Sequence, residues 1–196
     1  MTDANVEETK TTSRRDQEKG FALELQMLLE GSLPSTAYTV HVGKSLLYKL
    51  EVDVNGQLRP EDLRNPKRGQ FAFETDILIE KASPAIPLVV VELKFGGFTT
   101  HDIITYSSKA TRHKEIYPYL RYGFVVGGSA ALSKKFLTHN QGIDFAMSIR
   151  DMAAAGNKLM DLVTRQIANA ETLVEMMRTN RTSFTRYEKN IDVDRS

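Results

Sequence analysis

The most apolar run of the chain, PLVVVELKF at residues 87–95, carries a glutamate and a lysine two positions apart. An unbroken aliphatic run of this length reads as a central strand covered on both faces. Charges buried there cost several kcal/mol (roughly) unless they are paired or bound to an ion. Alternation along a strand sends Glu92 and Lys94 to one face and Val91 and Leu93 to the other. Whatever fold the chain adopts must therefore supply partners for two charges in the middle of its core.

The segment before it, FAFETDILIE, alternates with period two and reads as one half-buried strand. Phe71, Phe73, Thr75, Ile77 and Ile79 fall on one face, and Ala72, Glu74, Asp76, Leu78 and Glu80 on the other. Neighbouring strands lie about 4.8 Å apart, so Asp76 can sit opposite Glu92. Two carboxylates and an ammonium then converge. Oxygen donors from adjacent strands suit Mg²⁺, which keeps several waters and binds beside phosphates. A lysine next to them could orient a water or stabilise charge developing on phosphoryl oxygens.

The remaining elements follow from periodicity and breakers. DQEKGFALELQMLLEGSLP repeats apolar residues at helical spacing and stops at Gly31 and Pro34. AYTVHVGKSLLYKLEVDV reads as one bent strand or two short ones broken near Gly43. NGQLRPEDLRNPKRGQ reads as a basic loop. FTTHDIITYSSKATRHKEIY opens on threonines suited to capping and predicts a helix ending before Pro118, and LRYGFVVGG predicts a further apolar strand. Residues 143–178 read as helical with a possible break at Gly156-Asn157. The expected organisation is a disordered tail over 1–15, one domain over 16–180 and a polar tail over 181–196. Within the domain, a core over 16–127 precedes a helical extension over 143–178. The fold class is α/β, with helix, three strands, helix and strand building a mixed central sheet flanked by helices.

Composition narrows the chemistry. There is no cysteine, which excludes disulfides, thiolate zinc sites and cysteine nucleophiles, and the four histidines share no ligand spacing. The 26 basic and 25 acidic residues nearly cancel, so any nucleic-acid site is local. Lys109 and Arg112 on the helix before Pro118 are candidates for backbone contacts, as is Arg68 in the basic loop. No signal-peptide core or membrane-spanning apolar run is present in the sequence, which gives a cytoplasmic expectation and no membrane partner.

Asp76, fifteen further residues, then Glu92-Leu93-Lys94 at the end of a buried strand resembles the PD-(D/E)xK nuclease superfamily, which includes many restriction endonucleases and Holliday junction resolvases. KGFALELQMLLE resembles the first helix of resolvase-like members, in which a basic residue and a glycine precede a glutamate, here Lys19, Gly20 and Glu24. Thr75 stands where many members have proline. The resemblance covers about residues 16–127. It implies a restriction-endonuclease-like core and a Mg²⁺-dependent DNA endonuclease, with Mn²⁺ able to substitute. Asp76 and Glu92 would be metal ligands, and Asp76, Glu92, Lys94 and Glu24 the catalytic set. A restriction or defence role is the leading expectation. A repair or recombination nuclease and a non-catalytic DNA- or protein-binding subunit are the alternatives. Cutting both strands of a duplex suggests a homodimer. The stripe Met152, Gly156, Leu159, Val163, Ile167, Ala170, Val174 and Met177 could pair with its own copy or cover its own sheet.

Overall fold

The computed structural model describes residues 13–60, 62–67, 69–128, 131–179, 183–188 and 191–194. Helix α1 (Arg14–Ser32) opens two residues earlier than periodicity indicates, because the Ser13 side chain accepts the Asp16 N–H as an N-cap. Its buried residues, Phe21, Leu25 and Leu29, follow the four-residue spacing of one helix face. Strands β1 (Tyr38–Val42), β2 (Ser45–Leu47), β3 (Glu51–Val52), β4 (Leu58–Arg59), β5 (Ala72–Glu74), β6 (Ile77–Lys81) and β7 (Ile86–Phe95) follow. Helix α2 (Thr100–Ile116) starts on a reciprocal capping box between Thr99 and Asp102 and ends before Pro118. Then come β8 (Arg121–Gly127), α3 (Lys134–His139), β9 (Phe145–Ile149) and α4 (Met152–Arg178).

Five strands form a mixed sheet in the order β1-β6-β7-β8-β9. β6 runs antiparallel to both β1 and β7, whereas β7, β8 and β9 are mutually parallel neighbours joined through α2 and α3. One face carries Ile77, Val89, Val91 and Val125 under Leu25 of α1 and Val163 of α4. The other carries Leu78, Val90, Tyr122 and Phe124 under Ile103 and Ala110 of α2 and Phe136 of α3. The mixed sheet flanked by helices is as expected from the sequence, and helices on both faces explain why β7 is apolar on both sides.

Expectations are corrected in several places: residues 37–54 hold three strands (β1, β2 and β3) and the loop over 55–70 carries the short β4. FAFETDILIE is two strands: β5 pairs with β2 in a small second sheet, and β6 enters the main sheet. The change of sheet happens at Thr75, whose amide and hydroxyl both donate to the Lys44 carbonyl. Opposite it, Gly43 turns the partner chain with φ 70°, a conformation that favours glycine. Alternation survives the break, which is why period two alone did not reveal it.

Residues 143–178 are likewise not helical throughout. Phe145–Ile149 form the edge strand β9, seated where Gly123 leaves room for the Phe145 ring. Helix α4 runs unbroken through Gly156, which is buried and faces Leu28 of α1. A glycine within a helix costs about 1 kcal/mol relative to alanine, an amount that packing readily offsets. The stripe from Gly156 to Ala170 packs into the core of its own chain, so it offers no free surface for a second copy.

Candidate active site

β6 and β7 pair with Ile77 opposite Val91, so one further step places Asp76 alongside Glu92. Because β6 begins at Ile77, the next amides of β7 have no strand partner on that side. The half-buried Asp76 carboxylate fills the gap, with Oδ2 accepting the Leu93 N–H at 2.7 Å. This hydrogen bond holds the acid against β7.

Glu92 is only 1% exposed. Its Oε1 accepts the Tyr122 hydroxyl at 2.5 Å, and the Lys109 ammonium of α2 lies 3.2 and 3.4 Å from its two oxygens. Burial, and then the Asp76 charge, push the Glu92 carboxyl up to about 7 against the opposing pull of Lys109 and Tyr122. Burial and the neighbouring Glu92 charge also raise the Tyr122 hydroxyl well above its usual range, so it remains a proton donor.

Lys94 follows on the same face, two residues along β7. Its ammonium lies 3.7 Å from Glu18 of α1 and 3.9 Å from Asp102 of α2, with the Tyr106 ring centroid 5.8 Å away. α1 is held there by Arg14, whose guanidinium donates to the Phe95 and Gly97 carbonyls at 3.1 and 2.7 Å. The starts of both helices therefore flank the C-terminal end of β7. Comparison with family models, curated proteins and solved structures gave no match.

The structure thus places Asp76 beside Glu92, with Lys94 two residues farther along β7 beside Glu18 and Asp102, so the ammonium that meets Glu92 is that of Lys109 and not Lys94. Glu24 is exposed farther along α1, and Glu18 is the α1 acid at Lys94. Glu18 and Glu24 stand on opposite edges of the buried stripe, at about +60° and −60° from Phe21. Position along the axis separates them further, because the first turns of α1 reach the end of β7. Lys109 turns inward to Glu92, while its neighbour Arg112 lies over the Tyr48 ring, 6.0 Å from its centroid. Tyr48 in turn stacks on Phe73 at 3.9 Å, fastening the β2–β5 sheet to α2. Arg68 lies outside the described residues.

Tyr122 was not singled out from the sequence, although a tyrosine in an otherwise apolar buried strand needs a partner for its hydroxyl. His113, one turn beyond Lys109, is fully buried beside Phe73 and Tyr122. Neither ring nitrogen has a hydrogen bond of good geometry, although the Leu46 backbone is near, and burial followed by the Lys109 charge depresses the imidazole to about 4.

Proposed function

We propose that this chain is a magnesium-dependent DNA endonuclease that hydrolyses phosphodiester bonds, with a restriction-endonuclease-like core and a role of the restriction or defence type. The observation that carries the reading is Glu92, buried beside Asp76 and followed on the same face by Lys94. A carboxylate whose charge is disfavoured by burial and by a second acid is a poor stabilising element. A divalent cation between the two acids would turn both disadvantages into binding energy. The donor set fits magnesium. Both acids are hard oxygen donors, although among the described residues no group of three or more acids, histidines or cysteines is placed to hold an ion. Two carboxylates leave positions for water and for substrate phosphate.

Asp76 and Glu92 would hold the ion, which supplies a water of lowered pKa and polarises the ester. Manganese would substitute for it. Lys94 would stabilise charge developing on the phosphoryl oxygens or orient the attacking water, with Glu18 and Asp102 steadying its ammonium. Tyr122 would fix one oxygen of Glu92 and leave the other for the ion. Arg112 supports a role in backbone contact, since it lines a groove of about 670 Å³ with Ser108, Thr111 and Thr138. DNA is the proposed partner. A homodimer is the proposed cutting form, because two strands present two scissile bonds.

A second reading has an observation in its favour: Lys109 and Tyr122 already satisfy Glu92. In that reading the chain is a non-catalytic subunit that binds DNA or protein, and the acids stabilise the strand pair. Incubation with Mg²⁺ and linear, supercoiled or branched DNA separates the two. Cleavage is expected, and Asp76→Ala, Glu92→Ala and Lys94→Ala should each abolish it while the proteins remain folded. Binding without cleavage would favour the subunit. Cleavage confined to branched DNA would replace the restriction role with repair or recombination. A Lys94→Ala protein that cuts at near the wild-type rate would remove lysine from the mechanism.

A further inference from the structure

Lys109 sits at the junction between the paired acids and a solvent-facing cavity. Its ammonium contacts both oxygens of Glu92 and, at 3.4 Å, the Glu74 carbonyl, yet its side chain remains 22% exposed. On the outer side it lines a cavity of about 320 Å³ with Phe73, Ile104, Thr105 and Ser108. Ile104 and Ser108 also line the larger groove that contains Arg112, so the two hollows adjoin along α2. One cation can therefore face inward to a carboxylate or outward into a largely apolar cavity that adjoins the groove lined by Ser107, Ser108, Thr111 and Thr138.

We propose that Lys109 is a tethered counter-ion, which holds the place of the divalent ion at Asp76 and Glu92 and, when that ion enters, is released to bind phosphate in the adjoining cavity. The inference rests on the metal-dependent reading above and assigns a regulatory device to that same site. Its physical basis is charge. An ionised Glu92 buried there requires a cation, and the neutral Tyr122 hydroxyl supplies a hydrogen bond without one. An ammonium and a divalent ion repel when they share a carboxylate, so occupancy by one disfavours the other. Lysine suits the exchange, because its charge is compact and its four-carbon stem is flexible. A guanidinium would be held more rigidly. The nearby Phe73 and Tyr106 rings, with centroids 5.9 and 5.5 Å from the ammonium, allow it to move without losing every favourable contact.

Two linked effects follow. Lys109 weakens metal binding by competition, and metal binding strengthens phosphate binding by freeing Lys109, two sides of one coupling free energy. Calcium, which need not support cleavage, allows both to be measured at equilibrium. By titration calorimetry, Lys109→Gln should bind Ca²⁺ about tenfold more tightly than the wild type, and Lys109→Arg should keep the weaker wild-type affinity. In fluorescence anisotropy with a short duplex, Ca²⁺ should tighten binding by wild type severalfold more than by Lys109→Gln. Unchanged or weaker Ca²⁺ affinity in a folded Lys109→Gln protein, with wild type binding Ca²⁺ normally, would overturn the exchange while leaving the metal site intact. A folded wild-type protein that binds neither Ca²⁺ nor Mn²⁺ would overturn the metal-dependent reading itself. Circular dichroism melts establish folding for each variant. If Lys109→Gln does not fold, Lys109→Met in the same titrations decides the question.

Discussion

Glu92 and His113 sit in one buried cluster and respond to pH in opposite directions. The Glu92 carboxyl is raised from 4.5 to about 7, so the folded state holds that proton more tightly than the unfolded chain. Its stabilising contribution is complete below the unfolded value and is lost as pH rises through 7, by up to about 3 kcal/mol. The metal-free Glu92→Gln protein should therefore melt at a higher temperature than wild type at pH 8 and at nearly the same temperature at pH 4, as calorimetry at the two values would show. His113 is depressed from 6.5 to about 4, so its contribution is present above the unfolded value and is lost as pH falls through 4. His113→Phe should flatten the acid limb of the stability curve and leave the alkaline limb unchanged. At the other end of the site, Glu18 touches Lys94 and Glu24 does not share that contact. Loss of a carboxylate that orients a site residue typically costs about ten- to hundredfold. Glu18→Gln should slow cleavage near the lower end of that range, and Glu24→Gln should slow it less. Cleavage rates at saturating Mg²⁺ compare the two, and a larger loss in Glu24→Gln would return the role to Glu24.

At the scale of elements, the legible parts were those whose pattern and surroundings agreed. β7 was readable because an aliphatic run with two charges has few possible environments, and α2 because a capping threonine and a later proline mark its ends. The pairing of Asp76 with Glu92 was also readable, since alternation fixes faces. The division of 71–80 between two sheets was not, because period two continues across Thr75 and the switch depends on Lys44, remote in sequence. β9 was hidden for a similar reason: FAMSI is short, and its place beside β8 is set by the space at Gly123. The apolar stripe of α4 was correctly periodic, but periodicity does not identify what covers it. Leu159 is fully buried beneath its own sheet, so Leu159→Ala should destabilise by about 2–5 kcal/mol. Denaturant melts should give the same loss at low and high protein concentration. A loss that grows on dilution would instead place Leu159 at an interface between copies.

For the whole molecule, near-neutral charge limits how the proposed DNA partner could be held. The 26 lysines and arginines against 25 acids give no strong net field, and several cations are engaged by acids or carbonyls: Lys94 by Glu18 and Asp102, Arg14 by Phe95 and Gly97, Lys114 and Arg121 by Asp144. On the proposed reading, phosphate contacts would fall to a small set such as a released Lys109, Arg112 and two basic residues of the 59–67 segment. With about four phosphates neutralised per copy, the logarithm of affinity should fall with the logarithm of salt concentration at a slope of about −4. The Gly156–Ala170 stretch of α4 is committed to its own sheet while Met177 stays exposed, so two copies that cut a duplex together would meet outside that stretch or on the DNA. Binding to a duplex in Ca²⁺ should then show twice that slope for a two-copy complex, about −8, with a stoichiometry of two chains per duplex. Measuring slope and stoichiometry together tests both ideas. A slope near −8 with one chain per duplex would mean a wider basic surface than these few cations supply, and a slope near −4 with one chain would remove the dimer.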